Sequence, residues 1–139
     1  PIIRTAREVN DGKAHYVLGR VEQKLIDQPN LTVACLGLAF KADVDDLRES
    51  PALEIALGLA EKFGPRVLIV EPHTPAMPAK LAATGAVWST LAEAGAQGGL
   101  ALLLVDHAEF RSIDPYATGF SRIYDTRGTW RAFPSTRQG

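Results

Sequence analysis

Cysteine is almost absent: Cys35 stands alone among 139 residues, which excludes an intrachain disulfide and a cysteine-built zinc site. A reducing cytoplasm suits such a chain. An excess of charge of one sign is also missing, since 15 Lys+Arg against 16 Asp+Glu leave a formal net charge of -1. Nucleic-acid binders carry a basic excess on one face, and this balance argues against one. No apolar run approaches the ~20 residues of a membrane span, and the opening residues do not read as a signal peptide. No internal repeat is visible. What is present, 46% hydrophobic and 22% charged residues, is the composition of a globular domain rather than a disordered segment. A chain near this length hides about two-thirds of its unfolded surface, enough for one core.

The chain begins on Pro1 inside a helical pattern that has no start signal, so it reads as a piece of something longer. Residues from about Thr5 to Ile26 contain no proline, and Val17, Val21 and Leu25 recur every four residues in one apolar stripe. That stripe is expected to bury against the chain's own sheet or against a partner. Gln28-Pro29-Asn30 stops the helix. Strands and helices then alternate. Apolar runs at Leu31–Leu38, Arg66–Val70, Ala86–Ser89, Leu100–Val105 and Ser121–Tyr124 predict strands, the longer ones buried on both faces. Ser50-Pro51 opens a helix with a capping serine and a proline in the first turn, and Gly64-Pro65 closes it. Shorter helices are predicted at Pro78–Thr84, Thr90–Ala96 and Ala108–Ile113. The tail after Trp130 lacks periodicity and is expected to fray.

Alternation with short connections predicts an α/β domain, a Rossmann-like parallel sheet flanked by helices. Ligands on such sheets bind beyond the carboxyl ends of the strands, at a switch in strand order. This rule selects the loops Ala39–Glu49, Glu71–Thr74, Asp106-His107 and Asp125–Gly128. The first has one glycine where a dinucleotide fingerprint wants three. It does offer Lys41 and Arg48 around Asp43, Asp45 and Asp46, ahead of a helix N-terminus that favours anions. Two readings stand: a phosphate site, or an acidic loop whose two cations pair with its own carboxylates. Cys35 lies mid-strand and reads as a buried, inert thiol. His107 follows Asp106, but adjacent residues on an extended chain point apart, so the two make no catalytic pair. His15 and His73 lack partners at metal-ligand spacing, and Trp88 and Trp130 read as packing residues. No catalytic residue and no metal ligand is assigned.

The run Gly37–Pro51, with Asp45-Asp46-Leu47-Arg48-Glu49-Ser50-Pro51-Ala52 at its end, resembles the signature of the UDP-binding domain in the UDP-glucose/GDP-mannose dehydrogenase family. Thr5-Ala6-Arg7-Glu8-Val9-Asn10-Asp11 is similar to that family's central helix, Val105-Asp106-His107 to a late strand end, and Asp125-Thr126-Arg127-Gly128 to its final strand and loop. The likeness runs from Ile2 to about Trp130. It implies that residues 1–28 are the C-terminal part of a central dimerisation helix and that 29–139 form the UDP-sugar-binding domain. An N-terminal Rossmann domain holding NAD and the nucleophilic cysteine would lie outside this chain, and a homodimer is expected. The implied reaction oxidises the C6 alcohol of a UDP-sugar to a carboxylate in two NAD-dependent steps. A UDP-amino-sugar, UDP-N-acetylmannosamine, leads; UDP-N-acetylglucosamine or UDP-glucose is the alternative, and a freestanding nucleotide-binding module is a second. By the same resemblance Phe40, Lys41 and Arg127 fall on positions that contact the UDP-sugar, and Arg48 on one that reaches NAD. Ala42 departs from the family, where proline is common.

Overall fold

The computed structural model describes residues 2–136, with side-chain surroundings from residue 13 onward. Five strands form one parallel sheet: β1 (Val33–Leu36), β2 (Val67–Val70), β3 (Val87–Trp88), β4 (Leu100–Leu103) and β5 (Arg122–Asp125). Their order is β3-β2-β1-β4-β5, so the chain reverses its direction of travel across the sheet between β1 and β4. Registers are level, with Val33 beside both Val67 and Leu100.

Strands buried on both faces must present apolar residues in both directions, and these do. Val33, Cys35, Val67, Ile69, Leu100 and Leu102 face one core layer. There they meet α1 (Ile2–Asp27), α2 (Pro51–Phe63) and, through Leu81, α3 (Ala79–Ala82). Ala34, Leu36, Leu68, Val70, Ala101 and Leu103 face the other layer. It is closed by α4 (Leu91–Ala96), α5 (Ala108–Arg111) and the bulk of Phe120 and Trp130, with α6 (Pro115–Thr118) outside. The stripe Val17–Val21–Leu25 of α1 is buried within this chain, against the core that α2 shares. Full burial of a valine or leucine contributes about 1.5–3 kcal/mol, so α1 is held by three such side chains rather than by propensity.

Local signals explain the element ends. Ser50 caps α2 by accepting the Leu53 N–H, Pro51 fills the first turn, and Gly64 ends it with a positive φ of 54°. Thr90 and Glu93 form a reciprocal capping box on α4. Two expectations need correction. The segment after Trp130 does not fray over its described part: the Ile123 N–H donates to the Ser135 carbonyl, and Arg122 and Thr136 form an antiparallel bridge along the outer side of β5. Trp130 is packed, but Trp88 is 36% exposed, because β3 is a two-residue strand at the edge of the sheet.

Candidate functional site

The switch in strand order places the loops after β1 and β4 side by side at the carboxyl end of the sheet. Gly37 starts the β1 loop with φ +96°, and a Cβ there would lie 2.6 Å from the Val105 Cβ, so the chain can turn here only without a side chain. The loop closes where the Phe40 N–H donates to the Asp46 carbonyl. Ser50 then ties it back, its buried hydroxyl donating to the Leu38 carbonyl at 2.6 Å. Phe40 is left 50% exposed and Lys41 points into solvent beside it.

Of the four residues selected from the sequence, Phe40 and Lys41 lie together on this loop. Arg127 lies on the loop after β5, where its Nε donates to the Leu104 carbonyl at the end of β4. It borders a shallow cleft with Lys13, Ala14, Val17, Pro51 and Ala52, which Phe40 and Lys41 do not line. Arg48 follows the acidic-loop reading. Its Nε sits 3.1 Å from Asp46 Oδ1, and that pair lowers the Asp46 carboxyl below its ordinary range and raises the Arg48 guanidinium. The side chain of Arg48 remains 89% exposed, so the pair contributes little to stability. Lys41 makes no ion pair among the described residues.

Sequence reasoning missed the polar centre beneath the loop. Glu71, just past β2, is buried, and its Oε1 accepts the N–H of Leu38 at 2.8 Å, the N–H of Ala39 at 3.1 Å and His107 Nε2 at 2.9 Å. Oε2 accepts the His73 N–H. Burial pushes this carboxyl up, but the bonds from His107 and from the backbone of Leu38 and His73 outweigh it and hold Glu71 below the usual carboxylate range. His107 is wholly buried, and its partner is Glu71 rather than Asp106. Its Nδ1 accepts the Asp43 N–H at 2.8 Å, so that nitrogen carries no proton and the ring is the neutral tautomer protonated on Nε2. Asp43 adopts φ 62° and returns the contact by accepting the Ala108 N–H; that bond and Arg111 hold its carboxyl below the ordinary range. The only advance signal was the placement of Glu71 directly after β2 and of His107 in the loop that follows β4.

One ligand atom each of Asp43, His73 and His107 lies within 4.8 Å of the others, a convergence that linear spacing of the histidines did not foretell. Both nitrogens of His107 are already bonded inside the protein. His73 Nε2 is 3.1 Å from Glu109, and Arg111 stands 3.6 Å from Asp43. The chemistry of this cluster is therefore that of an internal hydrogen-bond network. Cys35 behaves as expected: burial pushes its thiol up to about 12.

The family model for the UDP-glucose/GDP-mannose dehydrogenase family, UDP binding domain, matches residues 34–132. The chain belongs to this family. Among its relatives, an NDP-N-acetyl-D-galactosaminuronic acid dehydrogenase of Ralstonia nicotianae is 45% identical over 131 residues, covering 94% of this chain and 30% of the relative. The UDP-N-acetyl-D-mannosamine dehydrogenase of Escherichia coli is 40% identical over 139 residues, covering 94% of this chain and 33% of the relative. A solved UDP-N-acetyl-mannosamine dehydrogenase from S. aureus superposes with a TM-score of 0.70 at 28% identity, over 91% of this chain and 29% of that one. The chain thus spans about a third of the length of the relatives it matches. No helix among the described residues is long and apolar enough to cross a membrane.

Proposed function

We propose that this chain is the UDP-sugar-binding part of an NAD-dependent UDP-N-acetyl-D-mannosamine 6-dehydrogenase, an oxidoreductase that turns the sugar C6 alcohol into a carboxylate for surface polysaccharide precursors. The observation that carries the reading is the loop after β1: an exposed aromatic and an exposed lysine at the switch point of a UDP-binding-domain fold. Phe40 supplies apolar contact, Lys41 a point charge for the diphosphate, and Arg127 a planar fork for phosphate or sugar hydroxyls. The family match over residues 34–132 supports dividing the chain into the end of a central helix, 1–28, and a binding domain, 29–139. A second reading changes the sugar to the N-acetylgalactosamine series, which the 45% identity to the Ralstonia relative favours.

NAD does not fit this domain. Dinucleotide-binding folds keep an acidic side chain after the second strand free for a ribose and use three glycines in the first loop. Here Glu71 is consumed by four internal bonds and the loop offers Gly37 alone. A second, N-terminal domain would hold NAD, with Arg48 on the exposed rim reaching it. The chain by itself is accordingly inactive, and homodimerisation through α1 would use its outward side, where Tyr16 and Ile26 are exposed.

Calorimetric titration of UDP tests the binding role. A charge-assisted hydrogen bond contributes about 1.5–3 kcal/mol, so Lys41→Ala should weaken binding about tenfold or more, and Arg48→Ala less. A wild-type chain indifferent to millimolar UDP would overturn the proposal, and a larger loss with Arg48→Ala would overturn the assignment of the two cations. Formation of NADH by the chain alone, abolished by Cys35→Ser, would contradict its predicted inactivity.

A further inference from the structure

We propose that Glu71 and His107 are positioning residues for the ligand loop: one buried pair fixes the backbone on both sides of residues 40–42, so a uridine diphosphate meets Phe40 and Lys41 already in place. This rests on the reading that these two residues contact the UDP-sugar. Leu38 and Ala39, just before Phe40, give both their N–H groups to Glu71 Oε1. Asp43, just after Ala42, gives its N–H to His107 Nδ1. The His107 Nε2–H donates to the same Glu71 oxygen, so the two anchor points are joined through a single contact of 2.9 Å. Glu71 comes from the end of β2 and His107 from beyond β4, the two strands that flank β1, and the loop is held from both neighbours at once.

The side-chain types are those the geometry demands. The residue between Glu71 and Asp43 must donate at one end and accept at the other while lying flat in a packed core. Neutral imidazole does this with little rotamer freedom, whereas Lys and Arg have no acceptor and Phe has neither group. His107 is also packed, with its ring centroid 4.4 Å from that of His73 and 5.7 Å from that of Phe110. A loop ordered before binding loses less entropy when the ligand arrives, which raises affinity without a new ligand contact. Ala42 makes such anchoring more consequential, because it supplies no fixed φ of its own.

The test measures UDP binding by calorimetry to the 139-residue chain and to His107→Ala and His107→Asn, each well below its melting temperature. His107→Ala should weaken binding about tenfold. His107→Asn keeps an acceptor oxygen where Nδ1 stood and should recover part of that loss, a rescue that general destabilisation would not give. A nitrogen-15 spectrum of the wild-type histidines and amide exchange at Leu38, Ala39 and Asp43 give a reading that needs no folded variant. The expected result is a bare Nδ1 on His107 and slow exchange at all three amides. Wild-type affinity in a folded His107→Ala, or rapid exchange at Asp43, would overturn the positioning role while leaving UDP binding intact. A wild-type chain that takes no UDP would remove the underlying reading, and the positioning role with it.

Discussion

Replacing Ser50 with alanine removes every bond made by one oxygen, a longer one to the Ala39 carbonyl included. The hydroxyl accepts the Leu53 N–H at 3.2 Å, which caps α2, and donates to the Leu38 carbonyl at 2.6 Å, which ties the helix start to the end of β1. Loss of a serine cap costs about 0.5–2 kcal/mol. The Leu38 carbonyl belongs to a wholly buried residue and would be left without its partner, at about 1–3 kcal/mol. Together Ser50→Ala should lower the unfolding free energy by roughly 2–4 kcal/mol, or about 1–2 M in the urea midpoint at an m-value typical of small domains. Ser50→Gly separates the two terms, because glycine at a cap costs only a few tenths of a kcal/mol while leaving the carbonyl equally stranded. Equilibrium urea unfolding followed by circular dichroism is the assay. A loss below about 0.5 kcal/mol for Ser50→Ala, or a glycine variant as stable as wild type, would refute the reasoning.

Gly37→Ala should destabilise by roughly 2–4 kcal/mol, combining a left-handed backbone with a methyl driven into Val105; the same urea assay checks it. Val21→Asp places an unpaired carboxylate in the layer shared by α1 and α2 and should cost more than about 4 kcal/mol, seen as loss of the cooperative melt. Cys35 should resist an aromatic disulfide reagent in the native chain and react once urea unfolds it, since its thiol is buried and pushed up to about 12. Glu71, held below the ordinary carboxylate range, contributes stability that is fully present above its unfolded value of about 4.3 and is lost as pH falls through the folded one. Unfolding free energy should therefore fall from about pH 5 downward, and Glu71→Gln should flatten that slope.

The sheet was legible because its strands are short apolar runs between glycine and proline breaks, and strands of that kind have few other places to go. Ser50-Pro51 and Gly64-Pro65 marked α2 to the residue, since capping and helix-stopping act within one turn. Asp114-Pro115 carries the same start signal for α6, and it was overlooked because four residues show no periodicity. Exposed loop residues such as Phe40 and Lys41 could be picked from type and position. The bonds of Glu71 to Leu38 and of His107 to Asp43 span 33 and 64 positions and are made by the fold alone, so no local pattern encodes them. Trp88 was misjudged for a related reason: an aromatic in a strand is buried only when a neighbour covers it.

The short antiparallel run along β5 has a consequence for behaviour at high concentration. A parallel sheet ends in two rows of unpaired backbone groups, and such rows recruit strands from other molecules. On one margin Ser135 and Thr136 occupy that row beside Ile123 and Arg122. On the other, β3 offers only Val87 and Trp88, too short a template for sustained pairing. Removing residues 131–139 would bare the first margin and take Phe133 from the layer around Trp130, and the shortened chain should self-associate through β5 where the 139-residue chain does not.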